Sequence, residues 1–324
     1  MLKVHLQFDP EPEQVSRLAA LLDPSIRLTV GEHPHPADFE ILVHGLPTRE
    51  DLLASPHLHT VIVPWAGPPL ETLDLLKEFP QIAVHNLPYN SGPTAEMAIA
   101  LLLAAAKMII PYDQNFRRHQ WGPADASLQS CLLLEGKTAL ILGYGRVGRR
   151  VANACRGLGM KVWGIRRRPD PQEQDEVYGI DSLHDLLPRA ALLIICIPHT
   201  HETTGLIGER ELALLPKEAV LVNVARGDIV VEAALYESLR ERRIFAAAID
   251  VWYRYPDRLL RGKGEPVPPS NFPFQELENV VMSPHRAGWS PETEELRILY
   301  LSRVLNAAAK NLPMPYRIDP NRGY

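Results

Sequence analysis

The chain has little cysteine and no long apolar run, and each scarcity excludes a class of protein. Its 324 residues include three cysteines, Cys131, Cys155 and Cys196, too few and too scattered for a disulfide framework. The longest apolar stretch, residues 97–106, falls well short of the ~20 residues that a membrane-spanning helix needs. The N-terminus lacks the apolar core of a signal peptide. We therefore expect a cytoplasmic protein without a membrane segment.

Neither sign of charge dominates. The 34 basic and 39 acidic residues leave a net charge of −5, too mild to indicate a nucleic-acid partner. Histidine pairs such as His199 and His201 have no third ligand nearby in sequence, so no metal site is predicted. Apolar residues make up 46% and charged residues 23%, an ordinary globular composition with enough length for about two domains of ~100–200 residues each.

Strand patterns alternate with helix patterns along the whole chain. In the first ninety residues, strands are predicted at 4–8, 41–45 and 61–63, with a helix at 12–22 and a loop at 87–93. A second series has strands at 138–142, 161–165, 192–197, 219–223, 245–250 and 280–282, with helices at 146–157 and 291–310. This alternation predicts an α/β fold with parallel sheets. Residues 94–110 form a further predicted helix, apolar on nearly every face and hence buried all round.

A glycine loop joins the strand at 138–142 to the helix at 146–157. Its six residues are Gly143, Tyr144, Gly145, Arg146, Val147 and Gly148. A Gly-x-Gly-x-x-Gly pattern between a buried strand and a helix is typical of dinucleotide binding, because the glycines permit a tight turn, close approach to pyrophosphate and close helix packing. The alternative interpretation is a glycine turn without a ligand.

The next strand ends at Arg166, Arg167 and Arg168. NAD-binding units usually have an acidic residue here for the ribose hydroxyls. Guanidinium groups instead bind a 2′-phosphate through charge-assisted hydrogen bonds. We therefore predict NADP as the preferred cofactor, with NAD as the other possibility; a solvated arginine run is the alternative.

Three further stretches complete the pattern: residues 223–230 (NVARGDIV), 248–252 (AIDVW) and 283–288 (SPHRAG). Together with the glycine loop they resemble the D-isomer-specific 2-hydroxyacid dehydrogenases, in the manner of the glyoxylate/hydroxypyruvate reductases. The resemblance extends from the loop at residues 66–67 to the C-terminus.

The resemblance implies a role for each matched residue. Arg226 corresponds to the arginine that binds the substrate's carboxylate and carbonyl, and His285 to the general acid that protonates the carbonyl oxygen. Backbone amides near Trp65, Ala66 and Gly67 correspond to the loop that holds the carboxylate. Predicted cofactor contacts, besides the glycine loop, the three arginines and His285, are Thr94, Ile197, Pro198, Thr203, Val224, Ala225 and Asp250.

The resemblance also implies an architecture of two Rossmann-like domains with doubly wound parallel sheets and an active site in the interdomain cleft. The expected substrate-binding domain, flavodoxin-like, comprises residues 1–92 and 290–324, with the C-terminal helix returning to it. Residues 93–289 are expected to form the dinucleotide-binding domain. The helix predicted at 94–110 corresponds to the family's dimer interface, so a homodimer is expected.

Two residues depart from the family pattern: Val231, where the family usually has aspartate, and a residue expected beside the catalytic histidine. Five residues after Asp250, just before a proline, the family usually has a glutamate that pairs with the histidine, whereas this chain has Tyr255. A neutral partner should lower the pKa of His285, so we expect a more acidic pH optimum for reduction. Tyr255 is predicted to act in catalysis beside His285, although Asp257 or Glu265 could substitute as the partner.

The function predicted from the sequence is therefore reduction of a small anionic 2-keto acid, glyoxylate-like or hydroxypyruvate-like, by NADPH. Such a reaction needs a cation for the carboxylate, a proton donor for the developing alkoxide and a dry site. The alternatives are a dehydrogenase of the same fold acting on another small anion, and a non-catalytic protein that senses dinucleotides.

Overall fold

The computed structural model describes residues 1–7, 11–32, 36–121, 131–169, 175–256 and 265–323. The chain divides into two units. The first unit comprises residues 1–91, 199–201 and 289–324, and the second comprises residues 92–198 and 202–288.

Parallel strands alternate with helices in the order that the sequence pattern predicts. In chain order the elements are β1 (Leu2–Leu6), α1 (Pro12–Leu21), β2 (Ile26–Val30), β3 (Ile41–Val43), α2 (Arg49–Leu53), β4 (Thr60–Val63), α3 (Leu70–Lys77), β5 (Ala83–Asn86), α4 (Ser91–Ala106), α5 (Ile109–Phe116), β6 (Thr138–Leu142), α6 (Arg146–Gly157), β7 (Lys161–Ile165), β8 (Glu176–Tyr178), α7 (Leu183–Leu186), β9 (Leu192–Ile195), α8 (Glu209–Leu214), β10 (Val220–Asn223), α9 (Glu232–Arg240), β11 (Ala246–Ile249), β12 (Val280–Met282), α10 (Pro291–Ala309) and β13 (Arg317–Ile318).

The first unit contains a six-stranded sheet in the order β13-β5-β4-β3-β1-β2. Its strands are parallel except β13, which runs antiparallel to β5. The C-terminal helix α10 packs beside α1 on one face, where Leu18, Leu301 and Val304 join a core with Val4 and Leu6. A second core on the other face contains residues of α2 and α3, such as Leu52 and Leu73. Each face of this sheet is therefore covered by helices.

The second unit contains a seven-stranded, all-parallel sheet in the order β12-β11-β10-β9-β6-β7-β8. Strand β9 shows why its strands are continuous apolar runs. Leu193 and Ile195 join the core on one face, while Leu192 and Ile194 join the core on the other. A strand buried on both faces needs apolar side chains at every position. The predicted doubly wound α/β class is confirmed for both sheets.

Most predicted elements of the second series are confirmed with small differences at their ends, and β6, α6, β7 and β12 have the predicted bounds. Strands β2, β5, β8 and β13 have no counterpart in the sequence prediction. The predicted loop at 87–93 was wrong at its end, because α4 already begins at Ser91 with Pro93 in its first turn, where a missing N–H costs nothing.

The single apolar helix predicted at 94–110 was also wrong, because two helices occupy this stretch. Helix α4 ends at Ala106, and Met108, with a φ of +52°, separates it from α5. The left-handed backbone at Met108 ends the regular hydrogen bonding of α4. Within the described ranges no single helix is long and apolar enough to cross a membrane, whereas α4 and α5 together, bent by 62°, would pass on length and composition alone.

Candidate active site

The glycine loop lies in the second unit, between β6 and α6. Gly143 has a φ of +106°, and a Cβ there would lie 2.6 Å from backbone atoms of Cys196 and Ile197. A Cβ on Gly148 would lie 2.0 Å from the carbonyl oxygen of Gly143. A Cβ on Gly145, in contrast, would meet nothing within 4 Å. Two glycines are therefore required by packing, while the middle one borders open space that a pyrophosphate group can enter.

Helix α6 begins directly after this open position. Its first turn contains no acidic residue, and Arg146 and Arg149 are exposed near its start, beside the half-buried Val147. The N-terminus of a helix offers unsatisfied N–H groups and the positive end of the helix dipole. The loop and the start of α6 therefore fit the phosphates of a dinucleotide.

The side chain of Tyr144 has a structural contact that the sequence prediction missed. Its ring is buried, and a Cβ on Gly164 of β7 would lie 2.3 Å from it. Its hydroxyl donates to the carboxylate of Asp175, which also pairs with Arg156. Burial and the bond to Asp175 raise the pKa of Tyr144 to about 12. A cofactor can therefore meet this residue through its backbone, while the side chain ties the loop to the strand beneath.

The three arginines follow β7. The backbone N–H of Arg166 donates to the carbonyl of Tyr178, which extends the pairing of β7 with β8. Arg167 forms an ion pair with Glu202, and Arg168 is exposed. The end of β7 therefore presents guanidinium groups, one of which is already held by a carboxylate.

The predicted adenosine-side contacts lie around the loop that follows β9. The hydroxyl of Thr203 donates to the carbonyl of Pro198 at 2.9 Å, which closes this loop on itself. Ile197 follows Cys196, whose N–H donates to the carbonyl of Leu142 at 2.7 Å. Thr94, also predicted to contact the cofactor, is buried near the start of α4.

The loop after β10 carries Arg226, and the buried side chain of Asn223 shapes it. Asn223 accepts from the N–H of Ala225 at 3.0 Å through Oδ1 and donates to the carbonyl of Arg226 at 2.9 Å through Nδ2. The guanidinium of Arg226 donates to the carbonyl of Ala225 at 2.7 Å. Val224, like Ala225, is buried. The loop is thereby held by its own side chains in the conformation that presents Arg226.

This loop also packs tightly on the segment after β11. A Cβ on Gly227 would lie 2.4 Å from the carbonyl oxygen of Trp252. Only a glycine allows that approach, so the position of Arg226 depends on the residue that follows it.

Asp250 directly follows β11 and is completely buried. One of its oxygens accepts from the hydroxyl of Ser283 and from the N–H of Arg286 at 2.8 Å, and the other accepts from the N–H of Ala287 at 2.9 Å. A buried carboxylate needs several donors to offset the loss of water. These three donors come from the segment around His285, so Asp250 anchors that segment directly. The sequence prediction of a cofactor contact did not include this role.

His285 is half-buried and has a φ of +58°. A non-glycine residue adopts this left-handed backbone at a cost that the surrounding structure must offset. The bonds from Asp250 to the two following residues supply that constraint. The indole N–H of Trp252 adds another, because it donates to the carbonyl of Ser283 at 2.8 Å.

Tyr255 contacts His285 through its ring. The ring centroids are 5.4 Å apart with an interplanar angle of 53°, while the phenol oxygen accepts from the N–H of Trp252 at 2.9 Å. Partial burial raises the pKa of the Tyr255 phenol, although the Trp252 bond and the nearby Arg226 act in the opposite direction. Of the other suggested partners, Glu265 is exposed and Asp257 lies outside the described residues. The residue beside His285 is therefore a neutral phenol near the charge of Arg226.

The loop of Trp65, Ala66 and Gly67 belongs to the first unit and follows β4. A Cβ on Gly45 would lie 2.2 Å from the Trp65 ring, so this ring packs on the backbone at the end of β3. The carbonyls of Trp65 and Ala66 accept hydrogen bonds from the end of β5. This loop is therefore held from two neighbouring strands.

Among the residues that the structure describes, no group of three or more His, Cys, Asp or Glu side chains could hold a metal ion. His201, one of the paired histidines, instead lies within 3.0 Å of the Asp74 carboxylate.

Comparison with known proteins shows which family this chain resembles in sequence and structure. Residues 99–287 match the family model described as D-isomer specific 2-hydroxyacid dehydrogenase, NAD binding domain. The chain belongs to this family. The matched residues include the sheet and the glycine loop of the second unit. A nicotinamide dinucleotide, NAD or NADP, is the cofactor that this domain takes.

Several curated relatives of this chain are named glyoxylate reductase. The one from Aeropyrum pernix is 39% identical over 224 residues, which cover 68% of this chain and 62% of that protein. The one from Thermococcus kodakarensis is 32% identical over 295 residues, covering 88% of this chain and 81% of that protein. A solved D-isomer specific 2-hydroxyacid dehydrogenase from Xanthobacter autotrophicus Py2, in complex with NADPH and MES, superposes with a TM-score of 0.82 at 25% identity, covering 100% of this chain and 99% of that one.

The sequence motifs did not predict the side chains that hold the loops of Arg226, His285 and Trp65 in place. Asn223 stands at the head of the NVARGDIV motif, and a polar side chain ending a buried strand was a usable signal. Ser283 likewise begins the SPHRAG motif. Asn86 ends a strand that the sequence did not predict, so it had no local signal.

Proposed function

We propose that this protein reduces a small 2-keto acid, glyoxylate-like or hydroxypyruvate-like, to the 2-hydroxy acid, with NADPH as the preferred reductant. The observation that carries the proposal is the placement of Arg226, Tyr255 and His285 in one neighbourhood of the NAD-binding domain. The names of the two curated relatives support the substrate class.

Each residue has a defined task in this proposal. The reduced nicotinamide, when bound, supplies a hydride to the carbonyl carbon. Arg226 holds the carboxylate and polarises the carbonyl with its guanidinium fork. His285 gives its proton to the carbonyl oxygen as negative charge develops there. Tyr255 packs against the imidazole and keeps a full negative charge away from it. Backbone amides of the loop at Trp65, Ala66 and Gly67 bind the carboxylate.

The preference for NADPH rests on the end of β7. Arg166, Arg167 and Arg168 supply positive charge where a 2′-phosphate would lie. The ion pair of Arg167 with Glu202 orients one guanidinium in advance. The solved family member in complex with NADPH supports this preference.

We also propose that two copies associate through α5. The sequence predicted a dimer interface on the helix at 94–110, but the α4 part of that stretch is largely buried within the second unit. The exposed apolar side chains lie instead on α5: Ile109, Ile110, Tyr112 and Phe116. Burying this apolar face against a second copy would remove it from water.

A spectrophotometric screen tests the enzymatic proposal. Purified protein is mixed with NADPH or NADH and a series of 2-keto acids, and loss of the reduced cofactor is followed by absorbance. We expect turnover with glyoxylate or hydroxypyruvate and a lower KM for NADPH than for NADH. His285→Ala should abolish turnover, whereas the control His57→Ala, at an exposed position, should leave turnover unchanged. Tight NADPH binding without turnover of any keto acid would instead favour a dinucleotide sensor.

A further inference from the structure

We infer that Asn86 is a positioning residue that sets the direction of the backbone N–H groups of Ala66 and Gly67 for binding a substrate carboxylate. The inference rests on the proposed function, because the ligand is the carboxylate of a 2-keto acid. All the contacts that carry it lie within the first unit.

Two successive carbonyls of the loop, those of Trp65 and Ala66, accept hydrogen bonds from residues at the end of β5. The side-chain Nδ2 of Asn86 donates to the carbonyl of Ala66 at 2.6 Å. The backbone N–H of Leu87 donates to the carbonyl of Trp65 at 3.1 Å. In an extended strand successive carbonyls point to opposite sides, so this arrangement is a departure from strand geometry. A backbone donor holds the first carbonyl, and the side chain of Asn86 holds the second.

The planarity of the peptide bond relates the direction of each of these carbonyls to the direction of the N–H group that follows it. In a trans peptide the C=O and N–H bonds point in opposite directions. The N–H of Ala66 belongs to the same peptide as the Trp65 carbonyl, and the N–H of Gly67 to the same peptide as the Ala66 carbonyl. Both N–H groups therefore point away from the end of β5. Successive N–H groups that point to one side form a concave anion-binding site.

Asn86 is itself held in place by the C-terminal strand. Its backbone N–H donates to the carbonyl of Tyr316 at 3.1 Å. One residue earlier, the buried ring of His85 lies 2.8 Å from the carbonyl of Pro315 through Nδ1. The register of β13 with β5 continues this pairing. The amide of Asn86 is therefore presented to Ala66 from a backbone bound on its other side, which favours a preorganised loop.

The substitutions Asn86→Ala and Asn86→Leu test the inference. Both remove the donor without adding a charge, and leucine keeps the approximate volume. The matched control is Asn306→Ala, because Asn306 also donates from Nδ2 to a backbone carbonyl, that of Leu21, at 2.8 Å. Asn306 lies on α10 and is outside the proposed machinery.

We expect KM for the keto acid to rise roughly five- to tenfold in both Asn86 variants, the scale of one well-placed hydrogen bond. The kcat should change less than twofold, because the loop binds the carboxylate equally in the ground state and the transition state. The Kd of oxamate, an unreactive 2-keto acid analogue, should rise by the same factor, while the Kd of NADPH stays unchanged. Asn306→Ala should leave KM unchanged even if it lowers Tm.

The outcomes separate this inference from the proposed function. If the wild-type protein turns over a keto acid but both Asn86 variants keep its KM, or lose kcat instead, the inference is wrong and the function stands. If the wild type neither turns over a 2-keto acid nor binds oxamate, the proposed function fails and the inference fails with it. Unfolding of both Asn86 variants beside a folded Asn306→Ala would also overturn it, since Asn86 would then determine folding.

Discussion

Replacing Tyr255 with glutamate should move the alkaline limb of the reduction rate to higher pH. Reduction requires a protonated His285, so the rate falls as the pH rises through the histidine's pKa. In the wild type the neighbouring phenol is neutral in this range, because partial burial raises its pKa above the ordinary value. A carboxylate at this position would favour the imidazolium and raise the pKa of His285.

The ring separation sets the size of the effect. Taking 5.4 Å as the distance between the charges, the attraction is about 3 kcal/mol at an effective dielectric constant of ~20, or roughly two pH units. Tyr255 is 41% exposed, and water near such a site weakens the attraction. We therefore expect a shift of about one to two units.

The assay is kcat/KM for the keto acid between about pH 5 and 9, with saturating NADPH. Tyr255→Gln is the matched control, since glutamine has the shape of glutamate and can also accept from the Trp252 N–H but carries no charge. In Tyr255→Gln the pH at which kcat/KM falls on the alkaline side should stay within a few tenths of a unit of the wild-type value. If the glutamate and glutamine variants titrate together, the phenol is not what sets the histidine's pKa, and our reasoning about this pair is wrong.

Three further predictions concern separate parts of the second unit. Asp250→Ala removes the acceptor of three hydrogen bonds and should lower the free energy of unfolding by about 3 kcal/mol or more, measured in urea; a loss under 1 kcal/mol would contradict the anchoring role. Arg167→Ala should raise the Kd of NADPH about tenfold and leave that of NADH unchanged in fluorescence titrations; equal effects on both would refute 2′-phosphate recognition. Phe116→Glu on the exposed face of α5 should convert a dimer to a monomer of 36.3 kDa in light scattering, and a wild-type monomer would remove the basis of the α5 interface.

The predictable part of the fold is the part buried on both faces. Strand β6 and helix α6 have the predicted ends, because the buried run of β6 stops before Gly143 and the N-cap of α6 is Gly145. Strand β2 at the edge of its sheet is only partly buried, and β13 has two residues. Neither has the alternation or the apolar run on which a sequence prediction depends.

In the candidate site, the sequence predicted the positions of the loops but not the contacts that hold them. The motifs located the loops of Arg226 and His285, whose roles remain predictions. Sequence spacing could not predict hydrogen bonds between a side chain and a backbone group far away in the sequence. Asn86 meets a carbonyl 20 residues earlier, and Asp250 meets amides about 36 residues later. The break at Met108 was similarly hidden, because the apolar composition continues through it.

The bond between Tyr144 and Asp175 has a consequence for protein engineering. A redesign of cofactor preference would exchange the segment that begins at Arg166, and a graft from an NAD-dependent relative would naturally run to the start of β8. Asp175 lies at that boundary, and its carboxylate is the one that Tyr144 and Arg156 share. A graft that removes Asp175 would also remove a hydrogen bond that holds the glycine loop. The exchange should therefore stop before residue 175.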